Sequence, residues 1–261
     1  MDLGLTGRTA LVLGAGGGLG SAIAAALAAE GAQIAVADVR ADAAEATAEA
    51  ITASGGRACP FAWDLADIAA GASAVADMQA AHSHIDILVN NTGGPPPTTA
   101  SGQPLSMWQE HFAAMVLPVI ALTDLVLPGM RERRWGRVVT SASSGVIAPI
   151  PNLGLSNALR SSLVGWSKTL AREVGPDGVT VNMIIPGRIA TGRIVALDEA
   201  RAAREGTTVE HVAADSASAI ALHRYGEPAE YGRVAAFLAS EAASYITGSV
   251  VRVDGGLIPS V

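Results

Sequence analysis

The chain is short of the residues that mark several large classes of protein. It has one cysteine, Cys59, which cannot form an internal disulfide and lacks the companions of a structural zinc site. A small buried hydrophobe is the expectation for it. Basic residues are outnumbered, 17 Lys and Arg against 24 Asp and Glu, for a formal net charge of −7. That balance speaks against nucleic acid or an anionic membrane as a partner, since both select basic footprints. The one basic cluster, Arg131-Glu132-Arg133-Arg134-Trp135-Gly136-Arg137, follows an apolar segment and precedes a strand. Cations suit the carbonyl-rich end of a helix, so a solvated helix end is expected there. No apolar run approaches the roughly 20 residues that span a bilayer. Met1-Asp2-Leu3-Gly4-Leu5 also lacks the basic region and apolar stretch of a signal peptide, so a cytoplasmic protein is expected. His82 and His84 flank Ser83 without acidic or cysteine companions, which reads as a solvated loop and not a metal pair.

What is abundant is apolar. Half of the residues are hydrophobic and 16% are charged, and no Pro/Gly/Ser-rich linker divides the chain, so residues 1–261 read as one domain. Apolar runs at Thr9–Leu13, Gln33–Ala37, Arg57–Phe61, Ile85–Val89, Arg137–Ser141, Val179–Ile184 and Val250–Val253 alternate with helix-length segments. This rhythm predicts an α/β fold: a doubly wound, seven-stranded parallel sheet of Rossmann type with helices on both faces. Ligands in such folds sit beyond the carboxyl ends of the strands, where strand order reverses.

The first such segment is Gly14-Ala15-Gly16-Gly17-Gly18-Leu19-Gly20, between the opening strand and the first helix. Glycines allow a tight turn and close approach to a pyrophosphate, whose charge the helix N-terminus favours. Asp38 ends the next strand, about 20 residues on, where a carboxylate accepts hydrogen bonds from the ribose hydroxyls of NAD and repels the extra phosphate of NADP. No Lys or Arg lies within the glycine loop, although Arg40 is close to Asp38. NAD is therefore the expected cofactor, ahead of NADP.

With Leu13-Gly14-Ala15-Gly16-Gly17-Gly18-Leu19-Gly20 in place of TGxxxGxG, the chain resembles the short-chain dehydrogenase/reductase family. Other matches run almost end to end: Asp64, Asn90-Asn91-Thr92-Gly93, Pro186-Gly187-Arg188-Ile189-Ala190-Thr191, Tyr245-Ile246-Thr247-Gly248 and Val253-Asp254-Gly255-Gly256. The resemblance implies that Asp64, with Leu65, meets adenine and that Asn90 supports the central strand. It implies that Asn91, Thr92 and Gly93 lie beside the cofactor, and that Pro186, Gly187, Ile189 and Thr191 border the nicotinamide.

The family's reductases use Asn, Ser, Tyr and Lys to move a hydride between nicotinamide and a carbonyl or alcohol. Tyrosine handles the proton, and lysine holds the ribose and lowers the tyrosine pKa. Ser143 matches the serine, thirteen residues before the tyrosine position. That position holds Ser156, and the lysine position holds Arg160; Lys168-Thr169-Leu170-Ala171-Arg172-Glu173-Val174 fixes the register without a gap. Met115 stands where the asparagine is expected. Arg160 can hydrogen-bond ribose but cannot relay protons, and Ser156 is too short to reach where a tyrosine hydroxyl would stand.

Three readings stand. Arg160, Ser143 and Arg188 stabilise charge on the substrate oxygen of a working oxidoreductase while water or substrate supplies the proton; or the chain binds dinucleotide without hydride transfer; or the scaffold runs a non-redox reaction. His111, four residues before Met115, shares its helical face, and Tyr225 reads as a packing residue. Gly93-Gly94-Pro95-Pro96-Pro97-Thr98-Thr99 is expected to form a rigid wall beside the nicotinamide. Residues 188–222 are expected to form a helical lid over a small-molecule substrate. In that lid Arg188 and Arg193 meet an anionic group or pair with Asp198 and Glu199. The family also implies a homo-oligomer, a tetramer, through Leu105–Met130, Leu153–Val174 and Val250–Val261.

Overall fold

Strands form where apolar residues are buried on both faces of a sheet. Every residue of β1 (Thr9–Leu13) and of β5 (Gly136–Ser141) is buried, and β2 (Gln33–Asp38), β4 (Ile87–Asn91) and β6 (Val179–Pro186) are buried along most of their length. With β3 (Arg57–Ala62) and β7 (Val250–Val253) they make one parallel sheet in the order β3-β2-β1-β4-β5-β6-β7. This is the arrangement in a computed structural model, which describes residues 2–82 and 84–260. Val12 pairs with Val36 on one side and Val89 on the other, so β1 is the spine from which the two halves wind outwards. Loops leaving β1 and β4 therefore diverge and open a crevice at their carboxyl ends.

Helices cover both faces. On one lie α1 (Gly18–Ala29), α2 (Ala41–Ala53) and α9 (Pro228–Leu238), which contribute Ile23, Leu27, Ile51 and Tyr231 to a core beneath Val12 and Val36. On the other lie α3 (Ile68–His82), α4 (Leu105–Met115), α5 (Leu117–Glu132) and α6 (Gly154–Val174). Pro118 explains why α4 and α5 are separate helices. It has no N–H for the carbonyl of Ala114, and its ring crowds that carbonyl, so the chain breaks at Val116. The segment 188–222 folds into α7 (Gly192–Glu205) and α8 (Val209–Ser218).

Four expectations need correction. Cys59 is exposed, because β3 is the edge strand and its residues are only partly covered. The Arg131–Arg137 cluster is not simply solvated. Arg137 is 2% exposed and stacks over the ring of Trp135, and Arg133 donates to Ile85 O and pairs with the buried Asp86. His84 also has an acidic companion, with Nε2 3.2 Å from Asp86 Oδ2; Ser83 and the His82 side chain lie outside the described residues. Finally, α4 and α5 together span 28 residues and are long and apolar enough to cross a membrane by length and composition. Val119, Leu122, Val126, Leu127 and Met130 of that stretch are buried in the protein core, so packing on the sheet accounts for its apolar character.

Candidate active site

The carboxyl ends of β1, β4, β5 and β6 open into one cleft of about 770 Å³. Its floor is built by glycines doing steric work. Gly14 has a φ of 57°, and a Cβ on it would lie 2.4 Å from Asn91 O; Asn91 Nδ2 in turn donates to Gly14 O at 3.1 Å. Gly20 lies off the cleft wall, because its role is contact. A Cβ there would stand 2.0 Å from Gly14 O, so only glycine lets α1 approach the loop this closely. Gly17, Gly18 and Leu19 do line the cleft, and among the described residues no atom lies within 4 Å of a Cβ built on Gly17. The loop thus presents bare backbone at the start of a helix, which fits a pyrophosphate.

Asp38 lines the same cleft. Its Oδ2 accepts from Gly16 N at 2.8 Å and its Oδ1 from Arg40 N at 3.1 Å, which fixes the carboxylate and explains why Gly16 faces Asp38 and not the cavity. The Arg40 guanidinium, 64% exposed, stands 3.9 Å from Asp38. Asp64 and Leu65 follow β3 and do not reach the wall; Asp64 Oδ1 instead accepts from Ala66 N, closing a local turn.

From β4 come Asn91, Thr92, Gly93 and Gly94, and from the end of β6 come Pro186, Gly187, Ile189 and Thr191. Asn90 is fully buried and donates toward Thr123 Oγ1 and Thr140 Oγ1, tying β4 to α5 and β5. The prolines of Gly93–Thr99 are not on the wall. Thr98 N donates to Asn152 O and Gly154 N to Thr98 O, so this segment straps the start of α6. Met115 is buried in a separate apolar cluster, and neither it nor His111 lines the cleft.

Ser143, Ser156 and Arg160 converge there. Ser143 Oγ accepts from Gly145 N at 3.1 Å, which leaves its proton free to donate. Ser156, in the first turn of α6, is 5% exposed, and among the described residues its hydroxyl has no hydrogen-bond partner. Arg160 lies one turn further on and is 8% exposed. Its Nη2 donates to Gly93 O at 2.7 Å and Thr92 O at 3.2 Å, and its Nη1 to Ser141 O at 3.4 Å. The expectation of a ribose ligand needs qualifying: three of its five N–H groups tie β4 to β5, and two remain. Burial, followed by the nearby charge of Arg193, lowers its pKa to about 10, so it is cationic at neutral pH.

Arg188 is committed elsewhere. Its Nη1 lies 2.7 Å from Asp198 Oδ1, and Tyr225 OH donates to Asp198 Oδ2 at 2.7 Å. Tyr225 is therefore a bonded member of a triad and not only packing, and burial raises its pKa. Sequence reasoning missed the apolar side of the cleft, Ile150, Leu153, Leu257 and Ile258, which carry no chemical signature.

Comparison with known proteins places this geometry. A family model described as Enoyl-(Acyl carrier protein) reductase matches residues 14–258. Oxidoreductase UcpA of Salmonella typhimurium is 35% identical over 259 residues, covering 97% of this chain and 95% of that protein. The crystal structure of L-sorbose reductase from Gluconobacter frateurii, complexed with NADPH and L-sorbose, superposes with a TM-score of 0.94 at 30% identity, covering 100% of both chains. NAD+-bound xylitol dehydrogenase superposes with a TM-score of 0.89 at 26% identity, covering 97% of this chain and 99% of that one. From β1 to the last strand, the chain belongs to the short-chain dehydrogenase/reductase family.

Proposed function

We propose that this protein is an NAD(H)-dependent oxidoreductase with an atypical catalytic site, acting on a small carbonyl, alcohol or imine. The observation that carries the reading is the convergence of the glycine loop, Asp38, the Asn91–Gly93 turn, Ser143 and Arg160 on one cleft. A bound dinucleotide supplies hydride transfer. The residues of the chain supply position and charge. Asp38, held by two backbone N–H groups, selects ribose hydroxyls over a ribose phosphate. Ser143 donates a hydrogen bond to the substrate oxygen, and Arg160 stabilises negative charge that develops there. The titratable side chains on the cleft wall, among the described residues, are Asp38 and the arginines 40, 160, 188 and 193. No histidine, cysteine, tyrosine, lysine or glutamate lines that wall among the described residues, so water or the substrate delivers the proton. Activated carbonyls and imines are then better substrates than ordinary ketones.

The exposed apolar side chains Phe112, Leu117 and Leu125 on α4 and α5 support a homo-oligomer through this face, and α7 and α8 are placed to act as the substrate lid. A second reading, dinucleotide binding without hydride transfer, is favoured by the three carbonyl bonds that hold Arg160. Titration calorimetry with NADH and NADPH, followed by a carbonyl, alcohol and imine turnover panel, separates the two. Tight NADH binding with no turnover across the panel selects the second reading, and failure to bind either cofactor overturns both.

A further inference from the structure

Four arginines line the cleft, and their partners differ. Arg40 stands beside Asp38, and Arg188 is neutralised by Asp198. Among the described residues, Arg160 and Arg193 have no carboxylate partner, and Arg193 makes no side-chain hydrogen bond. The two guanidinium groups flank one short stretch of backbone. Arg160 Nη2 is 2.7 Å from Gly93 O, and a Cβ on Gly94 would lie 2.9 Å from Arg193 Nη2. The Arg193 guanidinium, carried on the first turn of α7, thus packs against the bare backbone of Gly94 at the cleft mouth.

Two like charges held close in a partly desolvated cleft repel, and a buried cation bonded only to neutral carbonyls lacks its countercharge. An anion between them removes both costs. We propose that Arg193 and Arg160 form an anion site at Gly93–Gly94 that binds one oxyanion group, a carboxylate or a phosphate. This rests on the cleft being the ligand site proposed above. The oxyanion belongs either to the substrate or to the pyrophosphate of the dinucleotide. Arg193 supplies five free N–H donors and Arg160 its remaining two, enough for a bidentate contact with an added hydrogen bond. Because Arg193 sits on α7, anion binding also ties this helix to the β4–α4 loop.

The test uses the full chain and calorimetric titration. Inorganic phosphate and malonate are titrated into the free protein, NADH into the free protein, and malonate into the NADH-saturated protein. The parent is compared with Arg193→Met, Arg193→Lys and Arg204→Met, the last removing the same charge from α7 outside the cleft. The expected result is that Arg193→Met weakens anion binding about tenfold or more, Arg193→Lys recovers part of it, and Arg204→Met does not reproduce the loss. If malonate binds the NADH complex and Arg193→Met leaves NADH affinity unchanged, the oxyanion is the substrate's. If malonate competes with NADH and Arg193→Met weakens NADH by the same factor, it is the pyrophosphate. The site is overturned if Arg193→Met leaves phosphate, malonate and NADH affinities within about twofold of the parent, or if the parent binds neither anion and its NADH affinity is indifferent to Arg193. A parent that binds anions but not NADH would refute the dinucleotide reading and leave the anion site standing.

Discussion

Replacing Asp38 with asparagine removes one negative charge while keeping a side-chain oxygen as acceptor for the N–H of Gly16 or Arg40. A phosphate on the adenosine ribose would approach this carboxylate. Two unit charges about 4 Å apart repel by about 4 kcal/mol at an effective dielectric near 20, and by about 1 kcal/mol in bulk water. The Asp38 side chain is 13% exposed, which places it between these limits. Arg40 returns little, since it is 64% exposed and 3.9 Å away. About 2 kcal/mol against NADP(H) is expected, roughly a 30-fold preference for NAD(H) in the parent. Asp38→Asn should bring the two affinities to within about threefold, at a stability cost near 1 kcal/mol for the weakened loop bond. Calorimetric titration of parent and variant with both cofactors measures the ratio, and thermal unfolding measures the cost. Equal or tighter NADP(H) binding by the parent would refute the reasoning, because Arg40 would then have to swing over and outweigh the carboxylate.

Other perturbations bear on catalysis and on the loop. Ser143→Ala should lower turnover about a hundredfold, the usual loss for one positioned donor, while Ser156→Ala stays within about threefold; single-turnover rates with cofactor affinity measured separately distinguish them, and the reverse order would make Ser156 the working hydroxyl. With a non-titrating substrate, kcat should be flat from roughly pH 6 to 9, because among the described residues no histidine, cysteine, tyrosine, lysine or glutamate lines the wall and Arg160 is held at about 10. An inflection near neutrality would reveal a titrating acid. Gly20→Ala puts a methyl group 2.0 Å from Gly14 O, against backbone that cannot rotate away. A loss of about 3 kcal/mol in urea unfolding, with weakened NADH binding, is expected; a variant of parental stability would show that the loop is softer than its geometry implies.

Periodicity and glycine placement carried most of the architecture. The central strands were legible because parallel strands buried on both faces are continuous apolar runs, and Asp38 was legible because an acidic residue ends β2 about 20 residues beyond the glycine loop. The limits came from side chains whose role depends on remote partners. Gly16 and Gly20 were read as cofactor contacts from the same motif as Gly17, yet one faces Asp38 and the other presses on Gly14. Nothing local in Arg133 announces that it reaches Asp86, whereas the partner of His84 stood two residues away and was passed over. Arg160 looked like a ribose ligand, and its carbonyl acceptors, Thr92, Gly93 and Ser141, come from the loop after β4 and the end of β5, 19 and more residues away.

The pair of residues at positions 156 and 160 makes physical sense only when taken together. A lysine four residues after a tyrosine serves as a mobile point charge that eases loss of the phenolic proton. With serine at position 156 there is no phenol to ease, and a flexible ammonium would have no proton to influence. Arginine suits a different task. Its planar fork engages Thr92 O and Gly93 O together and still reaches Ser141 O, which locks the carboxyl ends of β4 and β5 beside the cleft. Burial, followed by the nearby charge of Arg193, pulls its pKa down to about 10, so holding the charge there is costly. A guanidinium kept cationic at that cost, without a carboxylate, is poised to interact with negative charge brought or developed by a ligand. Lysine alone at position 160 would therefore not recover proton transfer; it would need tyrosine at position 156 to act upon.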